Sequence, residues 1–431
     1  MQYIVTAPET LHAQIVLPAS KSISARALII NALGGGNQTL QNLSDCDDTR
    51  VLIQALQTLC KGITEEERED QIFDIGAAGT AMRFLSAFLA VTPGKHILTG
   101  SERMKHRPIK PLVDALRQLG ASVDYQETEG FPPLRIEGRV LAGGKISLPG
   151  TISSQYISAL LMIGPCLANG LELQLTGGII SRPYIEMTFA LMRRFGIQID
   201  WIAEDRIAVQ PGMYRSAQPF CVENDWSGAS YWYQMVALSP DPDAEVVLPG
   251  LDPDSVQGDA FVKTIFARLG VETEWVSGRV KDSQNIMGTV RIFKKHTAPE
   301  FLDYDFVGQP DLAQTLVVTC ALLGVRFHFK GLQSLRIKET DRLNALCCEL
   351  GKLGYELEER NGCELLWDGR RQKISEEPVF DTYEDHRMAL AFAPISLVNG
   401  RVRINNPEVV SKSYPQYWEH LKSVGFKIEE S

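Results

Sequence analysis

One pattern of apolar and polar positions keeps returning along the chain: a run with helical spacing, an apolar residue, a glycine, and then strict alternation. It stands at Leu119-Gly120-Ala121-Ser122-Val123, Phe195-Gly196-Ile197-Gln198-Ile199 and Leu269-Gly270-Val271-Glu272-Thr273. It stands again at Leu353-Gly354-Tyr355-Glu356-Leu357 and Val424-Gly425-Phe426-Lys427-Ile428, with a weaker copy at Lys61-Gly62-Ile63. Glycine just past a helix supplies the left-handed residue that ends it. The alternation that follows predicts a half-buried strand. Helix-Gly-strand alone is common in α/β proteins, so the spacing carries the weight. The six glycines lie 58, 76, 74, 84 and 71 residues apart, and six units of about 72 residues fill 431. Shorter glycine-bounded strands, such as Gly143 to Leu148, fall between them. The predicted class is therefore α/β, in two similar lobes of three units each. Cys221-Val222-Glu223-Asn224-Asp225 marks the crossover, and a cleft between lobes is a usual place for a ligand.

Polar clusters open one predicted helix after another. Ser20-Lys21-Ser22 precedes Ile23 to Leu33; Gly76-Ala77-Ala78-Gly79-Thr80 precedes Ala81 to Ala90; Thr151-Ile152-Ser153-Ser154-Gln155 precedes Tyr156 to Leu167. Ser181-Arg182-Pro183-Tyr184 precedes Ile185 to Phe195, with Pro183 in the first turn. Asp311 is placed to cap Leu312 to Leu323, and Asp385-His386-Arg387 precedes Met388 to Phe392. The densest cluster, Lys338-Glu339-Thr340-Asp341-Arg342, is expected on the first turn of a helix running to Leu353. Each cluster alone reads as ordinary capping, Arg107 alone as a surface loop charge, and His386 alone as a structural histidine. Together they bring several helix N-termini and several cations to anionic ligands, because free N–H groups and the helix dipole favour negative charge.

Composition narrows the partners. The net charge of −10 argues against nonspecific nucleic-acid binding, so any anion site has to be built locally. The eight cysteines form no CxxC pair, which predicts a reducing, cytoplasmic setting with neither a zinc site nor a disulfide framework. No metal-ligand cluster, signal peptide or membrane-spanning run is legible. Neither GxGxxG in a dinucleotide-binding context nor GxxxxGK[ST] occurs, so no nucleotide cofactor is expected.

At this point the residues resemble a known family. Lys21-Ser22, Ala78-Gly79-Thr80-Ala81-Met82-Arg83, Ser153-Ser154-Gln155, Lys338-Glu339-Thr340-Asp341-Arg342 and Asp385-His386-Arg387-Met388-Ala389 look like 5-enolpyruvylshikimate-3-phosphate synthases. The likeness runs from Lys21 to Lys412 with the motifs in order. It implies two lobes of three βαβαββ units, an inside-out α/β barrel arrangement: 20–222, and 1–19 with 223–431. It also implies transfer of the enolpyruvyl group of phosphoenolpyruvate to the 5-hydroxyl of shikimate 3-phosphate; no cofactor or metal is expected, and a monomer is the default because no exposed apolar stripe is legible. Shikimate 3-phosphate would meet Lys21, Ser22, Arg26, Ser153, Ser154, Gln155, Ser181, Tyr184, Asp311, Ser334 and Lys338. Phosphoenolpyruvate would meet Lys21, Gly79, Arg107, Gln155, Arg342, Arg387 and Lys412. Asp311 is the candidate base and Glu339 the candidate acid, with Lys21 and His386 assisting. Substrate phosphates carry about −1.5 to −2 each, and seven cations in these lists match such a load.

The chain departs from the family pattern at four places. Ala77 stands for the usual Asn, Phe84 for Pro, Ser334 for Asn, and Trp226 for a small residue. None is a charge or a proton carrier, and with Gly79 retained glyphosate is an expected inhibitor. UDP-N-acetylglucosamine enolpyruvyl transferases resemble the chain less, because the loop Ser101 to Lys110 holds no cysteine. A catalytically silent phosphometabolite-binding protein is the other reading; the presence of Asp311 and Glu339 weighs against it.

Overall fold

The computed structural model describes residues 1–60, 70–215, 218–282, 285–374 and 377–431. The weak repeat copy at Lys61-Gly62-Ile63 lies outside them. The chain divides into two compact units, Met1–Ser20 with Glu223–Ser431, and Lys21–Val222.

Among the described residues, five four-stranded sheets share one strand order, in which a parallel pair is extended by two antiparallel strands, the later one in the chain pairing next to the parallel pair in four sheets and the chain's first strand taking that place in the fifth. In the N-terminal unit, Gln71–Asp74 runs parallel to Gly94–Thr99, which pairs with Leu134–Gly138, with Ser122–Tyr125 outermost. Gly144–Pro149, Leu171–Thr176, Arg206–Val209 and Ile199–Ala203 repeat the order. A short parallel pair, Leu40–Gln41 with Phe220–Cys221, belongs to the same unit. In the C-terminal unit the order recurs three times. His12–Gln14 leads one sheet beside Glu245–Leu251, and Phe301–Asp305 leads the next beside Arg326–Lys330. In the third, Val379–Phe380 and Arg401–Asn405 are followed by Gln2–Thr6 and Lys427–Glu430, so the first strand of the chain completes its last repeat.

Four helices are almost wholly buried. Nearly every residue of Gly79–Val91, Ser154–Ile163, Trp226–Leu238 and Ala313–Leu323 is buried. A helix apolar all round belongs in a core, which is why these segments carry no polar stripe. Strands such as Leu171–Thr176 bury alternate residues, as one-sided sheets do. The repeat glycines at 120, 196, 270, 354 and 425 all have φ between 84° and 98°. At Gly270 and Gly354 a side chain would also strike the carbonyls of His296 and Gln372, so two constraints demand glycine there.

Several predicted boundaries shift. The helix after Ser153 starts at Ser154 and tightens into a 3-10 turn at Gly164–Cys166, because Pro165 withholds its N–H. Lys338 to Thr340 do not lie on a helical turn. They follow the 3-10 segment Gln333–Ile337, and the helix is Arg342–Gly351, capped by Asp341 through the Asn344 N–H. Asp311 is not the cap of the helix that follows: it sits within the 3-10 turn Pro310–Leu312, and the cap position of Ala313–Leu323 is Leu312.

Candidate active site

In the N-terminal unit the polar helix starts are tied to one another. Lys21 opens Lys21–Leu33, with its ammonium 3.1 Å from the Asp48 carboxylate. One turn on, buried Arg26 donates to Thr188 Oγ1 at 2.8 Å, to Ser158 Oγ at 3.0 Å, and to the carbonyls of Ser22 and Tyr184. It thereby joins three helices. Burial pushes its pKa down to about 10, against a smaller raising effect of Tyr184, so it stays charged at neutral pH. Phe84 is fully buried with its ring 5.4 Å from the Arg26 guanidinium carbon, a cation–π contact that gives this departure a structural place.

Gly79 begins the helix Gly79–Val91, and Ala78 offers its first turn no side-chain cap. The guanidinium of Arg107 lies directly over Gly79, where an added Cβ would sit 2.5 Å from Nη1. Arg107 is only 8% exposed, which corrects its reading as a surface loop charge. Its loop is folded by Ser101, whose hydroxyl accepts from the Met104 N–H. Gln155 donates from Nε2 to Thr80 Oγ1 at 3.0 Å, and Ser153 caps the following helix through the Gln155 N–H. Ser154 is buried and Tyr184 half-buried. Ser181 is buried and left-handed at φ 53°, a conformation costly for serine and common at ligand-binding positions.

In the C-terminal unit, four cations and three carboxylates interlock. Arg342, 1% exposed, grips Asp385 with two bonds of 2.6 and 3.1 Å. It also reaches Glu339 Oε2 at 2.9 Å and Asp311 Oδ1 at 3.3 Å. Asp311 is shared with Lys338 at 3.4 Å and Arg387 at 3.0 Å. Arg387 further donates to the Asp311 carbonyl and the Tyr231 hydroxyl. Lys412 lies 3.3 Å from Glu339 Oε1. His386 is buried on the first turn of His386–Phe392, whose cap is Asp385. Ser334 is half-buried on Gln333–Ile337.

The electrostatics follow the contacts. Burial alone would raise the Asp311 pKa, but Arg387, Lys338 and Arg342 outweigh it and hold the carboxyl well below the usual range. Asp259 goes the other way. Burial first, and then the Asp311 charge, push it up to about 7 against Arg387 and the Ser227 hydroxyl. Its Oδ2 accepts from Ser227, while its buried Oδ1 has no hydrogen-bond partner among the described residues. Asp259 and Tyr231 escaped the sequence reading, and Asp385, Thr80 and Arg83 were quoted there within motifs but given no site role. Arg83 donates to the carbonyls of Gly79 and Pro108 and so braces the Gly79–Arg107 contact. Asp385, Thr80 and Arg83 lie inside motifs already noted; Asp259 and Tyr231 carry no local signal. Trp226 is fully buried with the Lys263 ammonium 4.8 Å from its ring centroid.

Repeated βαβαββ folding, with cations and polar clusters at helix starts, is the arrangement that the resemblance to enolpyruvyl transferases implies. The match to the family model "EPSP synthase (3-phosphoshikimate 1-carboxyvinyltransferase)" covers residues 5–421, and the chain belongs to that family. It is 55% identical over 429 residues to the 3-phosphoshikimate 1-carboxyvinyltransferase of Bacteroides fragilis strain YCH46, covering 100% of this chain and 99% of that one. It is 36% identical to the enzyme of the same name from Sulfurovum sp. strain NBC37-1, covering 96% and 97%. The EPSP synthase structure from Acinetobacter baumannii superposes with a TM-score of 0.77 at 20% identity over 100% of both chains, a likeness of fold. The activity is transfer of the enolpyruvyl group of phosphoenolpyruvate to shikimate 3-phosphate.

Proposed function

We propose that the interlocked cluster around Arg342 is where phosphoenolpyruvate is held and its protons are moved. The observation that carries this reading is the count of charges: Lys338, Arg342, Arg387 and Lys412 against Asp311, Glu339 and Asp385. Buried ions require partners. Without substrate the protein's own carboxylates serve; with substrate, its carboxylate and phosphate take up cations now shared with Glu339 and Asp311. This exchange reconciles Glu339 with an acid role. In the free protein both its oxygens are ion-paired, and a substrate that takes up Lys412 and part of Arg342 leaves those oxygens open to the reacting carbon.

Residue roles follow the sequence reading. Lys21, Ser22, Arg26, Ser153, Ser154, Gln155, Ser181, Tyr184, Ser334 and Lys338 hold shikimate 3-phosphate. Gly79, Arg107, Arg342, Arg387 and Lys412, with Lys21 and Gln155, hold phosphoenolpyruvate. Arg26 acts mainly by fixing its neighbours, since its donors already face protein acceptors. The 5-hydroxyl loses its proton to Asp311 as its oxygen attacks C2, and Glu339 delivers a proton to C3. The tetrahedral intermediate then gives that C3 proton back as the C–O bond to phosphate breaks. Lys21 and His386 assist these transfers. The two lobes, 20–222 and 1–19 with 223–431, are the working parts of a monomer acting in the cytoplasm. Glyphosate competes for the phosphoenolpyruvate groups.

Phosphate release from the purified protein, with each substrate omitted in turn, tests the reading. Release is expected only with both present; no release with both present refutes it. Gly79→Ala tests the phosphoenolpyruvate subsite. The new Cβ forces the Arg107 fork aside, so KM for phosphoenolpyruvate should rise roughly tenfold or more. KM for shikimate 3-phosphate and thermal stability should hold, because only the flexible end of Arg107 has to move. Equal KM values for both proteins would remove Arg107 from the subsite.

A further inference from the structure

We propose that Glu349, which nothing above places in the site, is a positioning residue that sets the arginines of the phosphoenolpyruvate subsite; the proposal rests on that assignment. Glu349 is 0% exposed, on the helix Arg342–Gly351. A fully buried carboxylate is kept only where its acceptors are used. Its Oε1 accepts from the Tyr383 hydroxyl at 2.5 Å, and its Oε2 from the Asp381 N–H at 3.0 Å. The Lys352 ammonium lies 2.7 Å from Oε2 and also binds Asp381 Oδ2 and the Val379 carbonyl.

The segment it holds is strained. Tyr383 and Glu384 are consecutive non-glycine residues in the left-handed region, at φ 53° and 56°. Such backbone persists only where its surroundings over-determine it. Directly after them come Asp385, the carboxylate that grips Arg342, and Arg387, which binds Asp311. Arg342 and Glu349 are seven residues apart, two helical turns on one face. One helix therefore grasps both ends of the segment: Glu349 at Asp381 and Tyr383, Arg342 at Asp385. The left-handed pair turns the chain between these grips, and the Asp385 side chain fixes the Arg342 fork. Releasing the Glu349 grip lets the pair relax and moves Asp385, and with it Arg342 and Arg387.

Three variants of the full chain test this. Glu349→Leu removes both acceptors. Glu349→Gln keeps a carbonyl for the Asp381 N–H and an amide that can donate to the Tyr383 oxygen. Tyr383→Phe removes one bond from a partly exposed ring. For Glu349→Leu, kcat/KM for phosphoenolpyruvate should fall on the order of 10²-fold, as for a displacement near 1 Å. KM for shikimate 3-phosphate should stay near wild type, and Glu349→Gln should restore most of the loss. A folded Glu349→Leu with unchanged kcat/KM overturns the proposal, and so does equal loss toward both substrates, which marks general damage. If Glu349→Leu fails to fold, Tyr383→Phe decides: a selective rise in KM for phosphoenolpyruvate supports the proposal and an unchanged KM overturns it. Should the wild-type protein release no phosphate, the functional reading fails separately. Amide exchange at Asp385 then tests the grip alone, with faster exchange in Glu349→Leu expected and identical exchange refuting it.

Discussion

Arg342→Ala should abolish phosphate release and loosen the C-terminal lobe in the same step. The guanidinium touches three carboxylates, and Asp385, its bidentate partner, is fully buried. Taking one partner from a buried ion pair leaves an uncompensated charge and costs about 3–5 kcal/mol. Here Asp385 loses the guanidinium and keeps the neutral Arg387 N–H that it caps, while Glu339 keeps Lys412 and Asp311 keeps Lys338 and Arg387. The urea midpoint of the C-terminal lobe should therefore fall clearly. Activity should fall further, by at least about 10³-fold, because a group aimed at developing charge is lost along with the geometry it enforces. Arg342→Lys separates the two effects. It keeps one positive charge but loses the planar fork, so stability should recover more than turnover. Phosphate release within about tenfold of wild type in Arg342→Ala would exclude this residue from transition-state stabilisation.

Much of this arrangement was legible because it is local. A helix end needs a left-handed residue, so Gly120, Gly196, Gly270, Gly354 and Gly425 announced their helix-strand junctions. The clusters holding Ser153, Asp341 and Asp385 marked helix starts, because a cap and its N–H are two or three residues apart, although the helices begin at Ser154, Arg342 and His386 and not at Tyr156, Lys338 and Met388. What stayed illegible depends on partners far along the chain. Arg342 meets Asp385 across 43 positions, and Arg26 meets Thr188 across 162. Asp311 looked like a cap because aspartate before an apolar helix usually is one; the cations around it won the carboxylate instead. The left-handed Ser181, Tyr383 and Glu384 were hidden for another reason. Local preference disfavours that conformation in all three, and only the surrounding fold imposes it. Asp259 lacks any motif, and its raised pKa arises from burial and from Asp311, neither visible in a string of letters.

Asp311→Asn should lower kcat about 10²- to 10⁴-fold, the range for loss of a positioned general base, while lowering KM for phosphoenolpyruvate. The two changes share a cause. The Asp311 carboxylate competes with substrate anions for Lys338, Arg342 and Arg387. A neutral amide of the same shape leaves those cations less satisfied, so the anionic substrate binds more tightly and turns over more slowly. Falling kcat together with falling KM distinguishes this variant from Arg342→Ala, where KM should rise. The pH profile supplies an independent sign. In the free protein Asp311 is held ionised by its cations, so it contributes no acid limb to kcat/KM near neutrality. Asp259, raised to about 7 first by burial and then by the Asp311 charge, titrates there, as does Glu223, which burial raises to about 7 without any contribution from Asp311. Removing the Asp311 charge takes away the second of those causes, so the acid limb should move to lower pH in Asp311→Asn. A limb that stays in place would assign it to Glu223 or mean that Asp259 does not sense Asp311. A kcat within tenfold of wild type would transfer the role of base to another group, with His386 and Lys21 the next to test.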